Sequence, residues 1–536
     1  MATTKRIVGM EGSVRTEVIP LDGGFNEAVS SLELRPGELI ACKNFYIAEG
    51  STGGYTSLPG YERYSGKTKP SSVAATSLDD AAREAARTAI TEIPGSGPIR
   101  GVYIFKDKVY AFRDNALATK GTMWVESAAG WVEIDTSADP LAVGGTYSFV
   151  TYNFYATSTG EAMYFTNGQQ EARKYDGTTL TTIATGMGAG DLPIFVAAHN
   201  ERLFLTFLGG SLQYSTSGDP VDWSTDAGEI GAGGEITGIV SVVGGTLIIF
   251  GERFIRTLEG NVTSEWILKT FSDAIGAYPY TICTLFDTLI FMSEMGVTTL
   301  AAAQEFGNFA ANAISEKVKK TLTKLKSLIT CAVAIRHLNQ YRLFFSNGKG
   351  LIFSFANKKL KGITSIAYPN PVNIVTEGLD SNKVTIAFFS TLAGGQVYQM
   401  DSGTSFDGSV IEAALSTAYY HYKSPRNWKR FLMFTFEIIS TDALTLYIRR
   451  GFDYQASWSP RSVERTFDVT AAGSLWGEGE WGEMLWSGAD ATNRSFYHTQ
   501  GLGSNMNVSL KNSSKYNRPF TLQNFITDFV ILGRQL

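Results

Sequence analysis

Residues 212–223, LQYSTSGDPVDW, bring together residue types that could do chemistry. Hydroxyl groups, the carboxylate of Asp219 and the indole of Trp223 could hold a cation or stack on a sugar. Gly218-Asp219-Pro220 is also a strong turn signal, because it supplies a permissive φ, a side chain that bonds its own loop and a fixed φ. The preceding Leu-Gln-Tyr-Ser alternates as a half-buried strand does. We therefore predict a turn at a strand end rather than a ligand site.

Two features favour an alternative function, that of a propeller glycosidase or a glycan-binding protein. Ser217, Asp219 and Trp223 match positions of the Asp-box of propeller glycosidases, Ser-x-Asp-x-Gly-x-x-Trp. The box occurs once, however, and Val221 stands where it requires glycine. Tryptophans that could stack on sugars recur in WGEGEWGEMLW, at Trp476, Trp481 and Trp486. In a small sandwich, such tryptophans more often pack in the core or at an edge.

No other catalytic or metal-binding constellation is evident. The histidines fall in separate segments without HxH or HExxH spacing, at His199, His337, His421 and His498. The cysteines are odd in number and far apart, at Cys42, Cys283 and Cys331, which argues against a disulfide framework and a CxxC clip. The glycines at 231–234 precede a strand, unlike a nucleotide-binding loop between strand and helix. The sequence predicts no catalytic, cofactor-binding or metal-binding residue, no cofactor and no enzyme.

Composition points to a β-rich protein with a large core. Of the 536 residues, 44% are hydrophobic and 18% charged, and 55 glycines accompany 33 phenylalanines and 24 tyrosines. The net charge of −5 makes a duplex-DNA clamp a poor fit, because such a clamp needs clustered Lys and Arg. The N-terminus lacks an apolar signal-peptide core, and no segment is apolar enough to span a membrane. We therefore expect no membrane insertion.

The elements that would position any site are hairpins that recur along the middle of the chain. Seven segments consist of an apolar run, a short turn and a second apolar run; the turns are centred at Asp107, Asn167-Gly168, Gly209-Gly210, Glu252, Met295, Asn347-Gly348 and Gly394-Gly395. Four of the six intervals between them are close to the ~40–50 residues of a four-stranded propeller blade. The pattern predicts an all-β fold with a six- or seven-bladed β-propeller over residues 99–409. WD and kelch signatures are lacking.

The flanking regions differ from this pattern. Residues 1–98 are predicted to form an N-terminal β segment with a helical insertion at about 77–93, and longer strands over 410–536 predict a C-terminal β-sandwich. A second helical insertion is predicted at about 314–328, where Ile314, Val318, Leu322 and Leu325 form an apolar stripe among lysines. That helix either packs on its neighbour, which we favour, or faces DNA or a partner.

The loop and the N-terminal region together resemble a known family. Ser215-x-x-Gly-Asp-Pro-x-x-Trp223 after a tyrosine-containing strand resembles a blade motif of the tail nozzle proteins of short-tailed bacteriophages. This family is also called tail tubular protein B and is related to packaged-DNA stabilisation proteins. The N-terminal residues that resemble the opening of these proteins are Gly23-Gly24, Leu34-Arg-Pro-Gly-Glu38, Asn44-Phe45, Gly54-Tyr55 and Pro59-Gly60-Tyr61. The helical insertions have no counterpart in the family pattern.

This resemblance implies a structural virion protein. It implies a homo-hexamer below the portal and adaptor rings, which retains the packaged genome and conducts it during ejection. Further implied partners are tail fibres or spikes, a tail needle, and double-stranded genomic DNA that passes without sequence preference through the lumen. The implied location is the virion tail, after assembly in the cytoplasm of the host bacterium. A propeller scaffold for other proteins is a third hypothesis.

Overall fold

The structure is a computed structural model. It describes residues 13–31, 33–48, 53–73, 80–155, 160–224, 226–242, 245–286, 288–300, 313–379, 383–441, 443–454, 464–469, 492–515 and 518–534. In this part of the chain, no helix has the length and apolar character needed to cross a bilayer.

Most of the chain forms a seven-bladed β-propeller of antiparallel sheets. Blade one contains β7 (Ser96–Phe105), β8 (Lys108–Asp114), β9 (Gly121–Val125) and β10 (Val132–Ile134). Blade two contains β11 (Ser148–Tyr152), β12 (Ala162–Thr166), β13 (Ala172–Tyr175) and β14 (Leu180–Ile183). Blade three contains β15 (Val196–His199), β16 (Arg202–Phe207), β17 (Ser211–Tyr214) and β18 (Gly228–Gly231). Blade four contains β19 (Ile236–Val242), β20 (Thr246–Gly251), β21 (Ile255–Glu259) and β22 (Ile267–Ser272).

The remaining blades complete the ring. The described strands of blade five are β23 (Cys283–Leu285), β24 (Thr288–Ser293) and β25 (Gly296–Thr299). Blade six contains β26 (Ile329–Ile335), β27 (Gln340–Phe345), β28 (Lys349–Ala356) and β29 (Lys359–Ala367). Blade seven contains β30 (Val372–Leu379), β31 (Thr385–Thr391), β32 (Val397–Met400) and, from the N-terminal region, β6 (Tyr61–Tyr64). The first strand of blade seven contacts that of blade one, so the ring closes.

All seven predicted turns fall in hairpins, one in each blade. Six of them join the second and third strands of their blade. The first, at Asp107, instead joins the first and second strands of blade one, where Lys106 and Asp107 both have positive φ as a tight two-residue turn requires. In blade one, the second and third strands are joined by the loop at 115–120. The Asn115 carboxamide oxygen closes this loop by accepting a hydrogen bond from the amide of Thr119 at 2.8 Å. That loop has no Asn-Gly or Gly-Gly, so the pattern missed it.

A β-sandwich follows the propeller, and strands from both ends of the chain build it. One sheet contains β1 (Arg15–Pro20), β4 (Phe45–Ile47), β5 (Tyr55–Ser57), β34 (Asn427–Ile439), β37 (Thr492–Gly503) and β39 (Thr521–Arg534). The other contains β2 (Gly24–Phe25), β3 (Glu38–Lys43), β33 (Ile411–Thr417), β35 (Leu444–Phe452), β36 (Arg465–Val469) and β38 (Met506–Ser514). This pairing differs from the predicted division, which treats residues 1–98 as a segment separate from the sandwich.

Hydrophobic packing follows this architecture. Apolar side chains of neighbouring blades form shared clusters, such as the one in which Phe112 stacks on Tyr147 at 4.5 Å between ring centroids and contacts Phe165. A separate cluster lies between the sandwich sheets and joins side chains from both chain ends, for example Phe45 with Phe520. Burial of both ends in one core links the N-terminal strands to the C-terminal ones.

Both predicted helical insertions contain helix. Helix α1 (Asp80–Ala89) lies within the predicted 77–93. Helix α2 (Lys319–Leu325) lies between 3₁₀ turns at Glu316–Val318 and Lys326–Leu328. The predicted stripe is the buried face, since Val318 and Leu322 belong to a cluster with blades five and six. The other 3₁₀ turns are Pro70–Ser72, Gly188–Gly190, Leu208–Gly210, Thr263–Glu265 and Arg336–Leu338.

Candidate functional site

Most of the N-terminal residues that carry the family resemblance lie where the sandwich packs on the outer strand of blade six; Pro59-Gly60-Tyr61 lie instead at blade seven. We call this contact the joint; it comprises the described residues 20–31, 33–48 and 53–58 on one side and β29 with residues 314–328 on the other. Asn44 lies at its centre. The Asn44 amide donates to the carbonyl of Ser365 at 2.8 Å, and its carboxamide oxygen accepts from the amide of Ala367 at 2.7 Å. The carboxamide nitrogen donates to the carbonyl of Glu412 in the sandwich at 2.8 Å.

The backbone conformation explains why asparagine suits this position. Asn44 has a φ of 57°, in the left-handed region that asparagine tolerates better than most residues. The side chain is 1% exposed, so each of its polar atoms needs a partner inside the protein. Two of the three hydrogen bonds give the carboxamide oxygen and nitrogen their partners, and the third is made by the backbone amide. Together they tie the sandwich to the propeller.

Tyr55 fastens two loops of the joint. Its buried hydroxyl accepts from the amide of Gly24 at 2.7 Å and donates to the carbonyl of Gly37 at 2.9 Å. Burial raises the pKa of Tyr55 well above its usual value, so the hydroxyl stays protonated and can donate. Gly24 has a φ of 77°, and a Cβ there would lie 2.7 Å from the amide nitrogen of Ile363 on β29. Only glycine allows the two backbones to approach this closely.

A buried carboxylate joins the lysine-rich insertion to this region. Glu38 accepts from Lys317 Nζ at 2.8 Å, from Asn26 Nδ2 at 3.1 Å and from the amide of Arg35 at 3.0 Å. Burial alone would raise the pKa of Glu38, but hydrogen bonds led by that of Lys317 outweigh it and hold the pKa below its usual value. The carboxylate is therefore charged at neutral pH and serves the joint.

Other residues of the insertion also contact the rest of the protein. Lys320 Nζ donates to the carbonyl of Glu27 at 2.9 Å, and the Thr321 hydroxyl donates to the Glu27 carboxylate at 3.0 Å. Lys326 Nζ donates to the carbonyl of Glu294 at 3.2 Å. These contacts, with the buried apolar stripe, fit the prediction that this helix packs on its neighbours.

The Gly-Asp-Pro loop is held together by its own turn contacts. The Asp219 carboxylate accepts from the amide of Val221 at 3.0 Å, and the Trp223 indole donates to the carbonyl of Pro220 at 3.1 Å. Arg202, on the neighbouring strand, donates to the carbonyl of Ser215 at 2.7 Å. The Asp219 side chain is thus used by the local turn, as the turn interpretation predicts.

An open cavity of about 460 Å³ lies at the centre of the propeller, between the first strands of blades one, two, six and seven and the segment that precedes blade five. Aromatic, aliphatic, hydroxyl and amide side chains line it, and none of the described lining residues carries a charge. Tyr280 of blade five has its hydroxyl 3.5 Å from the carbonyl of Thr146, just before the inner strand of blade two. The ring of Tyr103 stacks on that of Phe149 at 4.8 Å between centroids. Glycosidases use a pair of carboxylates, which this lining does not supply.

The histidines and cysteines do not form a common site. His199 Nδ1 lies 2.8 Å from the Ser241 hydroxyl in the propeller, whereas His421 Nε2 lies 2.6 Å from the Tyr454 hydroxyl in the sandwich. His337 lies after β26, and His498 lies on β37. The cysteines are unpaired, and burial raises the pKa of Cys42 and Cys331 to about 12. Within the described residues, no three His, Cys, Asp or Glu side chains could hold a metal ion. Trp476, Trp481 and Trp486 lie outside the described residues.

One buried ion pair has no sequence signal that would have revealed it. Arg342 on β27 is fully buried and donates to Asp401, just after β32, at 2.9 Å. It also donates twice to the carboxamide of Gln340, at 3.0 and 2.8 Å. Because 59 residues separate the partners, only the fold brings them together. The pair links blades six and seven.

Comparison with known proteins finds similarity only in the fold. No protein-family model matches the chain, and no curated protein matches it. Among solved structures, it is similar to the WD40 β-propeller domain of Doa1, with 11% identity and a TM-score of 0.36 over 58% of this chain and 95% of that one. BamB from Moraxella catarrhalis has 10% identity and a TM-score of 0.33 over 58% and 97% of the respective chains. PorZ from Porphyromonas gingivalis has 10% identity and a TM-score of 0.40 over 76% and 60%. Such values imply nothing about function.

Proposed function

We propose that the chain is a structural virion protein, the nozzle of a short phage tail, and not an enzyme. In this role six copies form a ring below the portal and adaptor. The ring retains the packaged DNA, conducts it during ejection and anchors fibres or spikes. The protein is assembled in the host bacterial cytoplasm and acts in the tail of the virion.

The observation that carries the proposal is the location of the N-terminal residues that resemble the nozzle family. Asn44, Gly24, Tyr55, Gly37 and Glu38 all belong to the joint. These residues act by fixing the sandwich against the propeller rather than by exposing reactive groups. A wall element that withstands the pressure of packaged DNA needs such a rigid connection, so their use supports a structural role.

The propeller axis offers a second supporting observation. Its cavity of about 460 Å³ is far too small for duplex DNA, whose major groove alone is ~12 Å wide. A conduit for the genome therefore has to form between copies of the chain. The uncharged lining of the cavity disfavours the alternative, a propeller glycosidase, because paired carboxylates are missing from the described lining residues.

Charge is compatible with passage of DNA. Six copies of a chain with net charge −5 carry about −30 in total. Phosphate groups are not attracted to an acidic ring, so DNA would slide rather than bind. Three of the five lysines of the second insertion, Lys317, Lys320 and Lys326, contact Glu38, Glu27 and Glu294 of the same chain.

The deciding experiment is the copy number of the protein on a portal and adaptor complex. We expect the purified chain to be largely monomeric alone and to form rings of six copies on that complex, as measured by electron microscopy and calibrated mass spectrometry. Ring subunits of like charge repel one another and need a template for their register. Particles assembled without the protein should lose their DNA.

A matched variant tests whether the joint matters for this role. Asn44→Ala removes the side-chain hydrogen bonds of the joint, and Asn115→Ala removes those of an exposed propeller loop. We expect the first variant to retain less DNA per particle than the second.

One, three or twelve copies per particle, or DNA-filled particles without the protein, would refute the nozzle function. Cleavage of a glycan by the isolated chain that Asp219→Ala abolishes would establish the glycosidase instead.

A further inference from the structure

The cavity at the centre of the propeller is not the lumen of a symmetrical ring. Inner strands of blades one, two, six and seven line it, whereas no described residue of blades three and four does. The segment before blade five fills the space in front of those two blades. The ring of Tyr280 lies 5.5 Å, between centroids, from that of Phe195, and Ile282 packs on Gly238, where a Cβ would lie 2.5 Å from the Ile282 Cδ1 atom. Specific side chains therefore shape this cavity.

Tyr280 is held at the edge of the cavity in an unusual backbone conformation. Its φ is 58°, in the left-handed region that residues such as tyrosine rarely adopt. The Tyr280 carbonyl accepts from the amide of Ala332 at 2.9 Å, and the next carbonyl, that of Thr281, accepts from the buried Tyr341 hydroxyl at 2.9 Å. Residues that the surrounding structure holds in this way cluster at ligand sites. The Tyr280 side chain is 36% exposed, so solvent reaches it.

The hydroxyl of Tyr280 has capacity for a better hydrogen bond. It lies 3.5 Å from the carbonyl of Thr146, beyond the ~2.5–3.0 Å of ordinary hydroxyl donors. Burial raises the pKa of Tyr280 to about 12, so the hydroxyl keeps its proton at neutral pH. A ligand oxygen inside the cavity could therefore accept a shorter hydrogen bond than Thr146 does.

The rest of the lining sets the charge and the size of an occupant. None of the described lining residues is charged, and burial raises the pKa of the Cys331 thiol to about 12, so this group is neutral as well. A charged ligand would lose its hydration here without gaining a counter-charge. The volume of about 460 Å³ falls within the ~300–1,000 Å³ typical of small-molecule sites. The lining includes four aromatic rings, those of Tyr103, Tyr147, Phe149 and Tyr280.

We propose that the central cavity binds one small, neutral aromatic molecule that carries a hydroxyl group, with Tyr280 as the hydrogen-bond donor to that group. The ring of the ligand would bury apolar surface and make offset or edge contacts with the aromatic side chains of the lining. The site does not depend on the nozzle function, and either proposal can fail without the other.

Isothermal titration calorimetry of the full chain with p-cresol tests the site. We expect saturable binding of one molecule per chain. Tyr280→Phe should weaken this binding about 2–10-fold, because it removes one hydrogen bond and leaves the ring in place. Tyr152→Phe is the matched control: its half-buried hydroxyl donates to Glu201 at 2.8 Å, outside the cavity, so affinity should not change.

A second variant keeps the test decisive if Tyr280→Phe does not fold. Thr376 is half-buried and lines the cavity, so Thr376→Phe should fill the space and abolish binding of p-cresol. Benzoate has a ring of the same size but a negative charge, and it should bind at least about tenfold more weakly than p-cresol.

Several outcomes would overturn the proposal. These are absence of saturable p-cresol binding, equal affinity for benzoate, or full affinity in Thr376→Phe, which would place the binding elsewhere. Full affinity in Tyr280→Phe would refute its role as the donor. Tighter binding of methyl β-glucoside than of p-cresol would assign the cavity to a sugar instead of an aromatic ligand.

Discussion

Blades one to four and six are each built from one continuous stretch of chain, whereas blade seven and the sandwich are built from both ends. In these five blades every strand pairs with its neighbour in sequence. In blade seven, Tyr61–Tyr64 pairs with Val397–Met400, more than three hundred residues away. The sandwich likewise pairs Arg15–Pro20 with the last strand of the chain. The difference separates local pairing, which sets the repeat, from distant pairing, which closes the ring and fixes the sandwich on it.

The largest effect is expected from truncation of a side chain in the closing strand. Tyr61 is fully buried, and its ring packs within 5.2 Å, between centroids, of those of Tyr368, Phe389, Tyr398 and Phe406. Tyr61→Ala should lower the free energy of unfolding by about 3–5 kcal/mol, measured by urea denaturation. Hydrogen exchange should rise in β32 and also in the sandwich, because closure and joint share the N-terminal segment.

Tyr164→Ala is the matched control for this prediction. Tyr164 is also fully buried, but it lies in blade two, where all pairing is local. A similar loss of stability is expected, with faster hydrogen exchange confined to blade two and its neighbours. If faster hydrogen exchange spread equally far in the two variants, locally paired and distantly paired strands would be equally coupled to the rest of the fold. The distinction between the two kinds of pairing would then be wrong.

This contrast also explains how much of the fold the sequence could predict. A turn such as Asn347-Gly348, together with the apolar runs on either side of it, predicts a hairpin from about ten consecutive residues. The blades were therefore predictable from short-range patterns. The partner of Tyr61 could not be predicted, because register between distant strands depends on packing that no local pattern encodes. For the same reason residues 1–98 looked like a separate segment, although their strands complete the sandwich and blade seven.

The candidate site divides in the same way. The turn at Gly218-Asp219-Pro220 depends on neighbouring residues, and its geometry followed from residue types. The joint motifs were visible in the sequence only as a resemblance, since Asn44 and Ser365 meet through the fold.

An intermediate effect is expected from pH at a contact between adjacent blades. His199 is 2% exposed and bonds Ser241 across blades three and four, and burial lowers its pKa to about 4. Its unfolded pKa is ~6.5, so between the two values the unfolded chain binds more protons. Stability should therefore fall as pH drops from about 6.5 to 4, by up to about 3 kcal/mol.

The matched comparison for this pH effect is His199→Asn, which keeps a hydrogen-bonding side chain but does not titrate in this range. Its stability should fall less than that of the wild type between these pH values. Glu377 also makes the stability depend on pH, but it is present in both proteins, so its contribution cancels in the comparison. Burial raises the pKa of that carboxyl to about 7, so it favours the folded state as pH falls. Identical pH profiles for the two proteins would contradict the assignment to His199.

The smallest effect is expected at the Gly-Asp-Pro loop, where the Asp219 side chain bonds within its own turn. Asp219→Ala removes the hydrogen bond from the Val221 amide to the Asp219 carboxylate and should cost roughly 0.5–2 kcal/mol in urea denaturation. Asp219→Asn keeps an acceptor at the same position and should cost less. Because the loop lies in one blade, neither variant should change hydrogen exchange in the sandwich or the binding of a partner by the folded protein. Selective loss of calcium or sugar binding at unchanged stability would instead make Asp219 a ligand, and the turn interpretation would then be wrong.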